Sequence, residues 1–579
     1  MNPPSFPNTP NMAADLLQKL NKELASKRAL VVDRHTNART SLRIMLSTLG
    51  ITSVHNASNS AEVIRQVNGH RFDIILSDYL LDDGRDGQQL LEELRLQHLI
   101  PLSTVFMIIT GERAYQKVVS VAELAPDDYL IKPFTVDQLE GRLMRAIYRK
   151  HFFSRIFELL DQGAYADALA ACEPLLAAQT GFHFDTLRFK GEILNVLGRY
   201  EEAEGVYRQV LASRVAPWAR MGLAVALRGK AQLEEAESLG QAIVDEFPEY
   251  MAAYDFVAEV REELGKLPEA QAMLQQATAI SPNNSARQRM VGDVAVRNKD
   301  LPAAERAFSK VLERHRGSSL KNLDDYANLS RVMLDQGHTE GVRQIAQELR
   351  RELRGNPQGE LAALVIESLC AHKEGEAGKA RLALDKALAL HGTLEGDGEK
   401  TGLSEKIAVD LAHACLIAGD ETSGQKILRK VAAENHENRS MMAHIEGVFA
   451  KTGMEESGQI LLAQVGREII EINNQGVMAA RQGDLQESVK LLSKAADQVP
   501  NLQFLVNATK AIFTLLERTS WDVLMAERGL RYLQLAQAKD GRSTKVISAR
   551  ELYQRVARKY GVTIVGIGGA RSVSEKMGV

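Results

Sequence analysis

A chain of 579 residues is longer than one hydrophobic core usually organises, so at least two domains are expected. With 45% hydrophobic and 25% charged residues, the composition is typical of a globular protein and excludes a disordered chain. A net charge of −4 gives no basis for nucleic-acid binding. No apolar run approaches the ~18 residues that a membrane-spanning helix needs, so membrane insertion is not expected either.

The amino-terminal segment, residues 1–26, reads as a disordered lead followed by a short amphipathic helix. It begins MNPPSFPNTPNM, without the basic and apolar regions of a secretion signal. The three cysteines, Cys172, Cys370 and Cys415, lie far apart and form no metal-binding or disulfide pattern. A reducing compartment, the cytoplasm, is therefore predicted.

Residues 27–150 alternate strand-like and helix-like segments, which predicts an α/β, doubly wound, five-stranded parallel sheet. The carboxyl ends of parallel strands are where ligand chemistry gathers in such sheets. Asp33, Asp78, Thr110 and Lys132 all fall at predicted carboxyl ends. The five predicted strands are Ala29–Asp33, Ser53–Ala57, Phe72–Asp78, Thr104–Thr110 and Tyr129–Lys132.

From residue 151 onward the strand signals stop, and an internal repeat of helical segments begins. Similar segments start at Tyr200, Leu233, Leu267 and Leu301. Their small residues, Ala203, Ala236, Ala270 and Ala304, are spaced by 33, 34 and 34 residues. This period resembles the tetratricopeptide repeat, in which two antiparallel helices form each unit and the units stack into an all-α superhelix with a concave groove.

The repeats predict three further segments. Clear tetratricopeptide repeats are expected over 151–317, divergent helical repeats over 318–560, and a flexible tail over 561–579. Within the divergent part, HGTLEGDGEKTG at residues 391–402 reads as a loop.

The first 150 residues resemble the receiver domain of two-component response regulators, a flavodoxin-like fold. The resemblance rests on four motifs in the order that the family has them. These are ALVVD ending at Asp33, ILSD ending at Asp78, MIITGE with Thr110, and YLIKPF with Tyr129 and Lys132. It implies phosphoryl transfer from a histidine kinase or phosphotransfer protein to an aspartate.

By this resemblance Asp78 is the phosphoacceptor, and Lys132 and the Thr110 hydroxyl stabilise the transferred group. Mg²⁺ is the implied cofactor, held by Asp33, Asp78 and the backbone carbonyl of Leu80. Tyr129 is the implied switch residue, changing rotamer when Thr110 moves toward the phosphate.

Two departures from the family pattern bear on this chemistry. Arg34 stands where the family has a second acidic residue, so three readings are open. Arg34 partly replaces the cation and contacts the phosphate, or Mg²⁺ binds weakly through the remaining ligands and water, or the receiver is not phosphorylated. The loop after Asp78 is one residue longer than usual; Asp82 and Asp83 in it read as a solvated turn rather than as part of the site.

Two functions therefore remain open: a phosphorylation-controlled protein whose repeat groove binds a protein or peptide, and a constitutive scaffold with a degenerate receiver. An aspartate-nucleophile phosphatase is disfavoured, because its acid/base carboxylate would stand where Leu80 is. No enzyme activity is expected beyond phosphorylation and dephosphorylation of the receiver itself. Neither function fixes the oligomeric state, and a homodimer is compatible with both.

The last receiver helix is expected to begin after Thr135, which would cap it. No Pro or Gly interrupts the sequence from Arg142 to Gln162, so this helix is expected to continue, directly or with one kink, into the first repeat helix and to end at Gly163. The alternative is two helices separated by a tight turn near Lys150.

Overall fold

The computed structural model describes residues 24–81, 86–111, 126–178, 181–282, 284–315, 322–396, 404–541 and 543–562. The predicted lead, the pair Asp82 and Asp83, and the tail from residue 563 lie outside these residues. The described chain divides into two compact units, the first up to Pro282 and the second from residue 284 onward. The domain limits drawn at 150, 317 and 560 from the sequence stay predictions.

The first unit opens with a parallel sheet of five strands in the order β2-β1-β3-β4-β5. The predicted strands and the predicted fold class are confirmed. The strands are β1 Arg28–Val32, β2 Ser53–Ala57, β3 Ile74–Asp78, β4 Val105–Thr110 and β5 Asp128–Ile131.

Both faces of this sheet are buried, because strand residues alternate in direction and helices cover each side. One face packs against the first and last helices of the domain, and Leu24 joins its core. The opposite face packs against the second and third. The four described helices are α1 Thr36–Thr48, α2 Ser60–Gly69, α3 Gly87–Leu96 and α4 Val136–Phe152.

Helical hairpins make up the rest of the first unit, as predicted. Consecutive helices pack against each other, and α7 and α9, the first helices of two successive hairpins, also touch. The helices are α5 Ser154–Asp161, α6 Tyr165–Ala177, α7 His183–Val196, α8 Tyr200–Ser213, α9 Pro217–Gly229, α10 Leu233–Glu246, α11 Met251–Glu263 and α12 Leu267–Ile280.

A left-handed residue forms the turn inside each hairpin. Gly198 (φ 72°) and Gly265 (φ 78°) take this conformation, which glycine adopts without strain. Ala231 (φ 61°) takes it at the same place between α9 and α10. The backbone N–H of Arg199 donates to the carbonyl of Leu194 across the turn at 2.9 Å, so the chain reverses with its helix-end carbonyls satisfied.

The small residues that set the sequence period are fully buried, as the repeat register predicts. Ala203, Ala236 and Ala270 each have no exposed surface. Four residues after Ala203, the ring of Tyr207 fills the space beside two glycines. A Cβ on Gly191 or Gly222 would lie only 2.6 or 2.1 Å from that ring. The absence of side chains there is what lets neighbouring helices enclose the tyrosine.

The second unit is all helical over its described residues. Its longest helix, α22, spans 27 residues. The helices are α13 Ser285–Arg297, α14 Leu301–His315, α15 Leu323–Gln336, α16 Thr339–Glu352, α17 Pro357–Lys373, α18 Ala377–Gly396, α19 Glu405–Ile417, α20 Glu421–Glu434, α21 Arg439–Lys451, α22 Glu455–Arg481, α23 Leu485–Gln498, α24 Leu502–Arg518, α25 Val523–Asp540 and α26 Thr544–Lys559.

One expectation about the second unit is wrong in part. The segment 391–402 was expected to be a loop, but α18 continues to Gly396. Leu394 packs against the buried core of this unit, and that contact outweighs the loop-like composition of the following residues. Residues 397–403 lie outside the described part of the chain.

Two ion pairs in the second unit, one with a buried carboxylate and one exposed, join helices that are not consecutive. Arg331 on α15 holds Asp410 on α19, with the guanidinium Nε 2.9 Å from Oδ1. Lys451 on α21 binds both oxygens of Asp335 on α15, at 2.8 and 2.7 Å. Asp410 has a side chain only 4% exposed, so the first pair is taken out of water. These pairs, defined as the inner ion pairs, tie together three helices from separate hairpins.

Within the described ranges, no helix combines the length and the apolar character that crossing a membrane requires.

Candidate functional site

Four polar residues meet where the central strands of the sheet end. Asp78 is the last residue of β3 and Thr110 the last of β4. Asp33 follows β1 directly, and Lys132 follows β5. Because these four strands are parallel neighbours, their carboxyl ends share one edge of the sheet. The sequence prediction that these residues gather at one edge agrees with this arrangement.

Lys132 bridges the two carboxylates of this edge. Its Nζ lies 2.8 Å from Asp78 Oδ1 and 3.0 Å from Asp33 Oδ2. Both aspartates are buried, and the lysine side chain is 34% exposed. Burial disfavours the charged form of Lys132, but the hydrogen bonds and charges of Asp78 and Asp33 outweigh it and raise its pKa. The edge therefore holds a lysine that stays cationic beside two partly desolvated carboxylates.

Arg34 does not join this cluster. Its side chain is exposed, and its Nε donates to the ring nitrogen Nε2 of His35 at 3.0 Å. The cation between the two carboxylates is Lys132. Arg39 instead secures the Asp33 loop, because its guanidinium donates to the backbone carbonyl of Asp33 at 2.6 Å. The backbone N–H of His35 donates to Asp33 Oδ1 at 2.8 Å and fixes that carboxylate from the other side.

The segment after Asp78 returns to the same strand end. The backbone N–H of Gly87 donates to the carbonyl of Tyr79 at 2.8 Å, and Leu80 pairs with Asp86 in a short antiparallel bridge. A Cβ on Gly87 would lie 2.6 Å from the carbonyl oxygen of Asp78, so only glycine fits there. Leu80 itself is 49% exposed, which leaves its backbone at the rim of the site.

Sequence reasoning missed the residues that support this loop, although a signal was present. Asp86 caps α3 by accepting from the backbone N–H of Gln89, and the Gln89 side chain accepts from Asp86 in return. Asp followed by Gln three positions later is the pattern of such a capping box. Arg39 and His35 carry no comparable pattern, because Arg39 binds the backbone carbonyl of Asp33 and His35 donates to the Asp33 carboxylate only through its backbone N–H.

Thr110 lies on β4 and Tyr129 on the neighbouring strand β5. Thr110 is buried, and its carbonyl accepts from the backbone N–H of Lys132 at 2.7 Å. Tyr129 is half-buried against the core beneath α2 and α3, beside Tyr79. Burial, with Tyr79 and Asp86 nearby, raises the pKa of Tyr129, so the phenol stays protonated. Its side chain faces inward in this structure.

The donor set suits Mg²⁺, although it is small. Within the described ranges, no three acidic, histidine or cysteine side chains converge as metal ligands. Two carboxylates do face one point, because the ammonium of Lys132 contacts both Asp33 and Asp78. Mg²⁺ is commonly held by one or two carboxylates together with water and substrate phosphate. Asp33, Asp78 and the carbonyl of Leu80 are the residues that would hold it.

Comparison with known families accounts for both parts of the chain. Residues 29–144 match the response regulator receiver domain. Residues 158–217, 196–250 and 258–319 match a tetratricopeptide repeat family. The chain therefore has a response regulator receiver domain over residues 29–144 and tetratricopeptide repeats between residues 158 and 319. Both domain types are typically non-catalytic parts of signalling and scaffold proteins; receivers interact with histidine kinases or phosphotransfer proteins, and these repeats bind protein partners.

Two curated relatives resemble the receiver part of the chain. Over 120 residues the chain is 34% identical to a probable transcriptional regulator, ycf27, of Cyanidium caldarium, and 30% identical to the transcriptional regulatory protein KdpE of Staphylococcus aureus. Each match covers 21% of this chain and 46% or 49% of the relative. The chain thus spans about half the length of these curated relatives.

The repeats have structural neighbours as well. A tetratricopeptide repeat protein from Parabacteroides merdae covers 48% of this chain with 99% of its own length. The two sequences are 14% identical, and the TM-score is 0.32.

Proposed function

We propose that this chain is a response regulator in which Asp78 accepts a phosphoryl group and the helical repeats bind a protein partner. The donor would be a histidine kinase or a phosphotransfer protein. The observation that carries this proposal is the contact of Lys132 with Asp78 and Asp33, because it combines a nucleophile with the positive charge that a phosphoryl group needs.

The chemical step is a displacement at phosphorus. An oxygen of the Asp78 carboxylate attacks the phosphorus atom, the bond from phosphorus to the donor's imidazole nitrogen breaks, and that nitrogen keeps the electron pair. Lys132 would neutralise charge on the phosphoryl oxygens, and the hydroxyl of Thr110, at the end of the neighbouring strand β4, would bind one of them. Mg²⁺, when bound, would neutralise further phosphate charge at the same edge.

The surface of the first repeats has the chemistry of a protein-binding surface. Arg188 on α7 lies 5.9 Å from the ring of Trp218 on α9, and its Nε donates to Glu192 at 2.7 Å. Half-exposed arginine and tryptophan side chains dominate the binding energy of many interfaces. These two helices are neighbours in successive hairpins, so a peptide could span both.

We place this activity in the cytoplasm. The three cysteines are free thiols, and all are buried. Burial raises the pKa of the Cys172 thiol to about 12, which keeps it unreactive. Both facts suit a reducing compartment.

Exposure of the purified chain to acetyl phosphate with Mg²⁺ tests the proposal. We expect one acid-labile phosphoryl group per chain, measured by intact mass. The competing function is a constitutive scaffold, which the exposed Arg34 in place of a second acidic residue favours. If the chain is fully folded by circular dichroism but takes up no phosphate under these conditions, the result supports the constitutive scaffold and contradicts the response-regulator function.

Replacement of Arg34 by aspartate is expected to tighten Mg²⁺ binding by about tenfold. The change removes a fixed positive charge next to Asp33 and adds a carboxylate, and both effects attract a divalent cation. Titration calorimetry with Mg²⁺ measures the dissociation constant. Arg43→Asp is the control, since Arg43 is an exposed residue of α1 and the charge change is the same. Equal Mg²⁺ affinities of Arg34→Asp and wild type would show that Arg34 takes no part in the metal site.

A further inference from the structure

The receiver passes into the repeats through a single residue. Thr135 caps α4 as predicted, accepting from the backbone N–H of Gln138. Only Phe153 separates α4 from α5, and its carbonyl accepts from the N–H of Phe157 at 2.9 Å. Gly163 (φ 66°) then ends α5. The two helices are thus separated by a one-residue kink at Phe153, three residues after Lys150, so the helix does not continue directly into the repeats.

A buried lysine, Lys150, makes contacts on both sides of this kink. The Lys150 side chain is 12% exposed, and its Nζ lies 2.8 Å from Asp127 Oδ1 and 2.6 Å from the carbonyl of Leu102. The same ammonium lies 4.7 Å from the ring centre of Phe157 on α5. Burial lowers the pKa of Lys150 and the charge of Asp127 opposes that change. Lys150 therefore contacts both the sheet and the first repeat helix.

The loop before β4 forms hydrogen bonds with a residue of α4 and with a residue of α5. The carbonyl of Leu102 accepts from Lys150, while its backbone N–H donates to the Asp161 carboxylate at the end of α5, at 3.0 and 3.2 Å. Arg95 on α3 donates to the carbonyl of Thr104 in the same loop at 3.1 Å. We call Lys150, Asp127, Leu102 and Asp161 the junction cluster. Asp127 is fixed in turn by the N–H of Phe106 at 2.9 Å.

The junction cluster lies at the starts of β4 and β5, two of the four strands that end at the phosphoacceptor edge. Leu102 precedes β4, which ends at Thr110, and Asp127 precedes β5, which Lys132 follows. A displacement of either strand caused by phosphate at Asp78 therefore moves a partner of Lys150. A buried ammonium with one carboxylate and one carbonyl tolerates few other arrangements, because losing either partner leaves it uncompensated.

We propose that the junction cluster is a regulatory joint that transmits the state of the receiver to the first repeat hairpin, α5 and α6. This inference rests on the proposed phosphorylation of Asp78. With the cluster intact, α5 follows the movement of β4 and β5. Without the Lys150 charge, α5 is attached to the receiver by the kink alone, and the two parts move independently.

Hydrogen exchange of the full chain, with and without acetyl phosphate and Mg²⁺, tests the joint in wild type and in Lys150→Met. Methionine keeps the unbranched stem and removes the ammonium. In wild type we expect phosphorylation to change the exchange rates of α5 and α6 amides by about fivefold or more, the lower end of usual coupling between sites. In Lys150→Met we expect the same phosphate incorporation and no such change.

Two further variants keep the test decisive. Arg155→Met removes an exposed cation of α5 that pairs with Glu158 on the same helix, and should behave as wild type. Asp161→Ala removes the exposed carboxylate of the junction cluster and should fold even if Lys150→Met does not. In this variant we expect phosphorylation to change the exchange rates of α5 and α6 less than in wild type. A full response in Lys150→Met or Asp161→Ala, or labelled wild type without any response in α5 and α6, overturns the joint. Absence of phosphate from wild type overturns the proposed function instead.

Discussion

Asparagine at position 78 is expected to abolish phosphate incorporation and to leave the receiver folded. The amide has no carboxylate oxygen to attack phosphorus, so the acyl phosphate is not formed. Its carbonyl oxygen still accepts a hydrogen bond, so Lys132 keeps a partner at this position as well as Asp33. Intact mass after treatment with acetyl phosphate and Mg²⁺ measures incorporation, and circular dichroism checks the fold.

Asp73→Asn is the matched control for this variant. Asp73 precedes the same strand at the opposite edge of the sheet, where it accepts from the backbone N–H of Arg28 at 2.8 Å. It is expected to incorporate phosphate as wild type does. Equal labelling of Asp78→Asn and wild type would mean that another residue is the acceptor.

Methionine in place of Arg331 is expected to lower the free energy of unfolding of the second unit by about 3–5 kcal/mol at neutral pH. Removing one partner of a buried ion pair leaves the other charge uncompensated. Here the remaining group is the Asp410 carboxylate, which is 4% exposed. Its pKa is already raised by burial, and Arg331 is the charge that most opposes this rise. Urea unfolding followed by circular dichroism measures the loss.

The loss of unfolding free energy in Arg331→Met is expected to become smaller as the pH falls. In the variant the folded-state pKa of Asp410 rises further above the unfolded value of about 3.9. Such a group contributes stability that is complete below the unfolded pKa and is lost as pH rises through the folded pKa. His444, with Nε2 3.9 Å from Asp410 Oδ1, acts in the same direction. Burial and Arg331 lower its pKa, so losing Arg331 eases its protonation.

Arg429→Met provides the comparison for a surface ion pair. Arg429 binds Glu468 in the same unit, but both side chains are more than 40% exposed. Exposed pairs contribute about 0.2–1 kcal/mol, and this one should depend little on pH between 5 and 8. A deficit for Arg331→Met no larger than that for Arg429→Met would show that the inner ion pairs do not stabilise the fold.

The receiver fold was predictable from the sequence because every strand except β2, SVHNA, is a short and mostly apolar run. All five predicted strands lie within a residue or two of the observed strands, and the polar residues at their ends meet at one edge. The early repeats were equally accessible. Buried small residues such as Ala203 and Ala270 recur at a fixed spacing, so the spacing in the sequence predicts which residues are buried in each repeat.

Other features depended on contacts between distant residues, which no local pattern records. The bridge of Lys132 to both Asp33 and Asp78 joins residues 99 and 54 positions apart. The sequence identified Arg34 as the unusual charge, but it could not show that this side chain turns toward His35. No local pattern marks the burial of Lys150, because its partners Asp127 and Leu102 precede β5 and β4, well before it in the chain.

The inner ion pairs also bear on how the second unit responds to force. In a repeat array whose hairpins touch only their neighbours, tension peels one hairpin from the end at a time. Here α15 contacts α19 directly, and Arg331 and Lys451 connect α15 to α19 and α21. Tension along this stretch acts on several hairpins at once, so we expect these hairpins to unfold together in one step. The first hairpins, α7 to α12, are expected to extend gradually instead.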